Sequence, residues 1–197
     1  FDLRDGNLEF HGVSIKGLID QYGTPFKLMY LPRIGEQISK ARDLFHKAMQ
    51  KHDYNGMYHY AYCTKSCHYA HVLRAAAREG VQLETSSAFD IDLIYKLLEE
   101  GEINKDITII HNGFKTDGYL QRIANLNKEG FTNSILVLDS ISELSRVKLY
   151  SKGLTTPIQL GIRIAIDGEP QSAYFTSRLG IRPTDILSFY EHEIKDD

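Results

Sequence analysis

Beyond about residue 55, hydrophobic and polar positions alternate between two patterns along the chain. Short runs rich in β-branched and aromatic residues predict strands. Amphipathic segments between them repeat their apolar residues every three or four positions and predict helices. Several of these helices are predicted to end at a glycine, as at Gly80 and Gly101. The predicted strands cover 57–66, 81–85, 107–111, 134–138 and 157–165.

Strands that alternate with helices indicate βαβ units and a parallel sheet, hence an α/β fold. An open doubly wound sheet would be favoured by a glycine-rich turn after the first strand. Here that strand ends in Thr64-Lys65-Ser66-Cys67. A (β/α)8 TIM-type barrel instead places polar residues at the carboxyl ends of its strands, and this chain has Lys65, Glu84, Asn112, Asp139 and Arg163 there. A full barrel takes about 250 residues, so we predict an incomplete barrel of about five units.

Residues 1–56 do not follow this repeat. Their pattern predicts a hairpin or an edge strand at 7–13, a short helix at 16–21, a strand at 25–31 and an amphipathic helix at 34–50. We therefore divide the chain into an N-terminal segment, 1–30, that leads into the partial barrel, 31–197.

Composition narrows the possible functions. The 197 residues carry a net charge of -3, and 42% of them are hydrophobic. This charge gives no electrostatic reason to expect nucleic-acid binding. No apolar run approaches the ~20 residues of a membrane span, and no secretory signal is recognisable. Two cysteines four positions apart do not form a disulfide framework, which favours a reduced, cytoplasmic setting. The cluster Cys63, Cys67, His68 and His71 lacks a usual zinc spacing, so we expect no metal.

Lys65 is the first candidate for chemistry. With a period of two, it shares a strand face with the small residues Ala61 and Cys63, while tyrosines occupy the other face. Small residues suit a barrel interior, so Lys65 is predicted to point inward at the rim. Burial there would favour the uncharged amine, which forms Schiff bases with carbonyls. The alternative is a structural ion pair with Glu84 on the next strand.

Other strand ends allow weaker expectations. We expect His111 to be a hydrogen-bonded rim residue and Asp139 or Ser140 to cap the following helix. Arg163, in an apolar strand, needs an anionic partner if it points inward.

Several short segments, in order, resemble the alanine racemase-like (fold-type III) pyridoxal-phosphate enzymes. Tyr62-Cys63-Thr64-Lys65-Ser66 resembles their Tyr-Ala-x-Lys-x-Asn strand. Further similar segments are Tyr22-Gly23-Thr24-Pro25-Phe26, Glu84-Thr85-Ser86-Ser87, Asn112-Gly113-Phe114-Lys115, Asp139-Ser140, Gly161-Ile162-Arg163-Ile164 and Ser177-Arg178-Leu179-Gly180-Ile181. Within the family, the segments Glu84-Thr85-Ser86-Ser87 and Asn112-Gly113-Phe114-Lys115 most resemble those of biosynthetic arginine decarboxylases.

The resemblance implies that Lys65 holds pyridoxal 5'-phosphate through a Schiff base, with Glu84 and Arg163 binding near the cofactor. It also implies decarboxylation of a basic amino acid, arginine to agmatine in polyamine biosynthesis, by a homodimer or higher homo-oligomer with shared active sites. The segment 1–30 would then contribute a strand to a second, β domain. Diaminopimelate or ornithine decarboxylase, and a non-catalytic pyridoxal-phosphate homeostasis protein, remain alternatives. Cys67 replaces the family asparagine, and Arg178 replaces a lysine.

Overall fold

The computed structural model describes residues 1–154, 156–165 and 179–195. Within it the chain divides into two compact units, Phe1–Tyr30 and Leu31–Asp197. Whether the first unit belongs to a second, β domain stays a proposal.

The first unit contains a small antiparallel sheet and one helix. Its strands β1 (Asp2–Arg4), β2 (Asn7–Phe10) and β3 (Val13–Ser14) pair in the order β1-β2-β3. Helix α1 (Ile15–Tyr22) begins where the Ser14 hydroxyl accepts a hydrogen bond from the Gly17 N–H at 3.2 Å. The predicted hairpin is therefore confirmed. The predicted strand at 25–31 is wrong, because no described strand pairs with these residues and a strand needs a ladder partner.

The second unit begins with a long helix and continues as strand–helix repeats. Helix α2 (Pro32–Lys51) has proline in its first turn, where no N–H is needed. The repeats are then β4 (Ala61–Cys63), α3 (Ala70–Arg78), β5 (Gln82–Thr85), α4 (Asp90–Glu99), β6 (Ile109–His111), α5 (Asp117–Lys128), β7 (Ser134–Leu138), α6 (Glu143–Ser151), β8 (Gln159–Ile162) and α7 (Pro183–Phe189). The helix over Tyr190–Ile194 continues α7 with wider turns.

The five strands form one parallel sheet whose spatial order follows the chain, β4-β5-β6-β7-β8. A doubly wound sheet reverses its strand order at a switch point, and no reversal occurs here. The structure therefore confirms the α/β fold and fits a partial barrel. In the register, Cys63 lies opposite Glu84, and Glu84 lies opposite Ile110.

The core lies on the helix side of this sheet. Leu83, Ile109 and Leu136 are at most 1% exposed and pack against apolar residues of the surrounding helices. Residues that alternate with them, such as Glu84 and Ile110, are only half-buried on the opposite face. Tyr60 and Tyr62 also pack against the core, as the period of two predicted. The two sheet faces thus separate a hydrophobic layer from a face that is free to carry polar side chains.

In the described ranges, no helix combines the length and apolar character that a membrane crossing requires.

Candidate active site

Parallel strands present their carboxyl ends at one edge of the sheet, and the candidate residues gather there. Lys65 follows β4 directly, in a single 3-10 turn that spans Thr64–Ser66. Its side chain is exposed. The predicted burial of Lys65 is therefore wrong. Its inward direction stays a prediction, because the chain leaves the extended conformation after Cys63 and the strand alternation no longer applies there. The amine is instead accessible at the edge.

Glu84, on the neighbouring strand β5, is held by two donors. The Cys63 thiol donates to Glu84 Oε1 at 3.3 Å, and the Asn112 side-chain amide donates to the same oxygen at 3.2 Å. Burial, reinforced by this hydrogen bond to Glu84, raises the pKa of the Cys63 thiol. Among the described residues no ion pair joins Lys65 to Glu84, so the structural alternative for Lys65 is not found.

The loops after β5 and β6 press closely against each other. Gly113 has φ of +76°, and a Cβ at this position would meet the Ser86 carbonyl oxygen at 2.8 Å. Only glycine fits both the left-handed backbone and this contact. The loop after β5 is fixed in turn by Asp90, which accepts from the Ser86 and Ser87 N–H groups at 2.7 and 3.0 Å. These contacts set the position from which Asn112 reaches Glu84.

A second group of charges is buried beneath the ends of β6 and β7. Lys115 Nζ lies 3.6 Å from Glu143 Oε2, and the two side chains are 0% and 3% exposed. Glu143 also accepts from the Lys115 and Asp139 backbone N–H groups, at 3.0 and 2.8 Å, and Lys115 Nζ donates to the Val137 carbonyl. Burial lowers the pKa of Lys115, while the charge of Glu143 opposes that shift.

Glu143 and the burial of Lys115 escaped the sequence analysis. One signal was present: Glu143 follows Ser140 by three residues, which is the spacing of a capping box, in which a glutamate reaches back to a backbone N–H. The expectation that Asp139 or Ser140 caps α6 is wrong. The helix begins at Glu143, and the Ser140 hydroxyl pairs with that of Ser142.

Arg163 has the anionic partner that its position required. Its guanidinium lies 3.6 Å from the Asp139 carboxylate, whose side chain is 3% exposed, whereas that of Arg163 is 39% exposed. Arg163 follows β8 and Glu84 lies on β5, so two strands separate them. In the described sheet the two residues therefore do not come from neighbouring strands. The structure brings Lys65 and Glu84 to adjacent strands but places Arg163 in the second group.

His111 lies on the other side of the sheet. It is fully buried, its Nδ1 is 2.8 Å from the Thr85 hydroxyl, and its ring packs edge-on against Tyr119 of α5. Burial lowers the pKa of His111 to about 3. The residue is hydrogen-bonded as expected, but it belongs to the core and not to the rim. Ser177 and Arg178, from the last similar segment, lie outside the described residues.

Comparison with known proteins shows which family and which solved structures the chain is similar to. The family described as pyridoxal-dependent decarboxylase, pyridoxal binding domain, matches residues 36–188. Diaminopimelate decarboxylase from M. jannaschii, solved with L-lysine, is similar over 96% of this chain and 43% of its own, with a TM-score of 0.76 and 18% identity.

Two arginine decarboxylases also share the fold. The biosynthetic enzyme SpeA of Campylobacter jejuni is similar over 97% of this chain and 32% of its own, with a TM-score of 0.70 and 20% identity. The Paramecium bursaria Chlorella virus enzyme, solved with agmatine, is similar over 90% of this chain and 42% of its own, with a TM-score of 0.61 and 17% identity. This chain thus spans less than half the length of these proteins. Since the family match covers most of the chain, the protein belongs to the pyridoxal-dependent decarboxylases and carries their pyridoxal-binding domain.

Proposed function

We propose that the chain forms part of a decarboxylase of basic amino acids, with Lys65 as the lysine that holds pyridoxal phosphate and arginine as the substrate. One observation carries the proposal. Lys65 presents an exposed primary amine in the turn that ends β4, one strand away from the carboxylate of Glu84. A primary amine of this kind forms covalent adducts with carbonyl compounds.

The residues at this edge fit the cofactor of the family. The Lys65 amine is open to an incoming aldehyde. Both hydrogen bonds to the Glu84 carboxylate end on Oε1, and among the described residues none ends on Oε2. Glu84 therefore retains an acceptor for a polar group bound beside Lys65. When bound, pyridoxal phosphate supplies an electron sink for the electron pair that a departing carboxylate leaves behind.

The chain's own residues would then act as follows. Lys65 would hold the cofactor covalently, and its Nζ could also carry a proton. Glu84 would keep its carboxylate on the strand next to the one that Lys65 follows, where it can accept a hydrogen bond from a bound polar group. Arg163 is oriented by Asp139 and supplies a positive charge at the end of β8.

The choice of arginine rests on the sequence. The segments around Glu84 and Asn112 resemble those of arginine decarboxylases. A guanidinium needs carboxylates placed for paired hydrogen bonds. Yet the carboxylates near this edge already have other roles. The open oxygen of Glu84 is assigned to a polar group of the cofactor, and Asp139 and Glu143 pair with Arg163 and Lys115. We therefore propose that the guanidinium partners come from outside the described residues, from a β domain or a partner subunit of a homodimer.

A substrate panel tests this proposal. The protein loaded with pyridoxal phosphate should release carbon dioxide and agmatine from arginine. It should disfavour ornithine, lysine and diaminopimelate strongly, since a site built for a polar group rejects analogues that lack it by about 10⁴-fold. Lys65→Ala should abolish turnover, while Lys96→Ala, on the exposed surface of α4, should not affect it.

The possible results distinguish an error in the proposed substrate from an error in the proposed enzymatic function. Comparable kcat/KM for ornithine or diaminopimelate would overturn arginine as substrate and leave the decarboxylase class intact. Cofactor binding without decarboxylation of any basic amino acid would overturn the enzymatic function and favour a cofactor-homeostasis protein.

A further inference from the structure

The Cys63 thiol occupies an unusual place on the half-buried face of the sheet. It lies two residues before Lys65 and directly opposite Glu84 in the strand register, and it donates to Glu84 Oε1 at 3.3 Å. The similar family segment has alanine at this position, which could not donate. The contact is therefore a feature of this chain and goes beyond the family pattern.

Two donors on opposite sides hold the same carboxylate oxygen. Cys63 approaches Glu84 from β4, and Asn112 approaches it from beyond β6 at 3.2 Å. The strand backbone is held as well, because the Thr64 hydroxyl donates to the Glu84 carbonyl oxygen at 3.0 Å. Because donors on both sides hold Oε1 of Glu84, the position of its other oxygen, Oε2, is also defined. The raised pKa of the thiol keeps it protonated, as a donor must be.

We propose that Cys63 is a positioning residue that acts through Glu84: its thiol, together with the Asn112 amide, orients the Glu84 carboxylate toward the group held by Lys65. The inference rests on the proposed function, because it assumes that Glu84 faces the cofactor. It assigns Cys63 no contact with substrate or cofactor.

Matched cysteine variants test the inference in the protein loaded with pyridoxal phosphate. Cys63→Ala removes the donor, and Cys63→Ser restores one. Cys67→Ala is the control, since Cys67 lies just beyond the same turn and is also half-buried. Its backbone carbonyl oxygen, which alanine keeps, accepts from the Tyr62 hydroxyl at 2.9 Å. The readouts are the dissociation constant of pyridoxal phosphate and the pH midpoint of its visible absorption band.

Cys63→Ala should raise the dissociation constant by about three- to tenfold, the effect of one net hydrogen bond, and should move the pH midpoint of the band. Cys63→Ser should return both readouts to within about twofold of the parent, and Cys67→Ala should leave them unchanged. In a Glu84→Gln background, Cys63→Ala should have no further effect, because the charged acceptor through which it acts is gone.

The outcomes separate this inference from the function on which it rests. If Glu84→Gln alters cofactor binding and Cys63→Ala does not, the positioning role is overturned while the role of Glu84 stands. A full additional loss from Cys63→Ala in the Glu84→Gln background would show that Cys63 acts independently of Glu84 and would also overturn it. If Glu84→Gln changes neither readout, the proposed role of Glu84 is overturned, and the inference with it.

Discussion

Lys115 and Glu143 form a buried ion pair that joins the loops after β6 and β7, with Nζ 3.6 Å from Oε2 and both side chains almost fully inaccessible. Glu143 also accepts hydrogen bonds from the backbone of both loops. The pair thus fixes the part of the sheet edge that carries Asp139, the partner of Arg163.

Lys115→Met should destabilise the protein strongly, because Glu143 would remain charged and buried without its cation. Breaking a buried pair in this way costs about 3–5 kcal/mol. Denaturant unfolding measures the loss, and Lys128→Met, at the exposed end of α5, should cost less than about 0.5 kcal/mol. The double variant Lys115→Met/Glu143→Gln should recover part of the loss. If the double variant is less stable than Lys115→Met alone, the charge of Glu143 is not the cause.

The lowered pKa of His111 leads us to expect that the protein loses stability in acid. Its folded-state pKa of about 3 lies below the ordinary value of 6.5. Between these values the unfolded chain binds a proton that the folded chain excludes, so stability is complete above about pH 6.5 and falls as the pH drops toward 3. The slope from this group is at most about 1.4 kcal/mol per pH unit.

Unfolding measured at several pH values tests this assignment. His111→Gln should flatten the decline in stability below pH 6.5, whatever its cost at neutral pH, whereas His46→Gln, on the exposed surface of α2, should leave the decline as it is. Curves for His111→Gln and the parent that stay parallel from pH 7 to pH 4 would show that His111 does not take up this proton on unfolding.

Arg163 is expected to contribute to cofactor binding in addition to pairing with Asp139. Arg163→Gln leaves the Asp139 carboxylate buried without its cation, so we expect a loss of about 1–3 kcal/mol in unfolding free energy. Adding Asp139→Asn should restore part of this stability, because position 139 then no longer carries a buried carboxylate that has lost its Arg163 partner. Cofactor affinity should fall with Arg163→Gln and should not return in the double variant. Unchanged cofactor affinity, together with a loss of stability, would make Arg163 purely structural.

The sequence predicted most of the fold because each βα unit carries its own local signal. The period of two placed Tyr60 and Tyr62 on the side of the sheet that packs against the core. The failures concern the points where strands end. The prediction carried the alternation of β4 through to Lys65, but the backbone turns after Cys63. His111 was placed at the rim, although it still belongs to β6 and faces the core.

The sequence patterns also did not predict which loops contact each other. The Lys115–Glu143 pair joins residues 28 positions apart, and its existence depends on the register of β6 against β7. The Cys63–Glu84 contact depends in the same way on the pairing of β4 with β5. The pattern of one strand does not name the residue that lies opposite it on the neighbouring strand, so these parts of the site became visible only in three dimensions.

The identity of the cofactor lysine is the central claim, and chemical trapping tests it most directly. Borohydride reduces the covalent link between pyridoxal phosphate and its lysine, and peptide mapping then locates the modified residue. We predict a single pyridoxyl-modified lysine at Lys65, the exposed amine beside Glu84, with Lys115 unmodified because it is buried against Glu143. Modification of Lys115 or Lys148 in place of Lys65 would contradict the account.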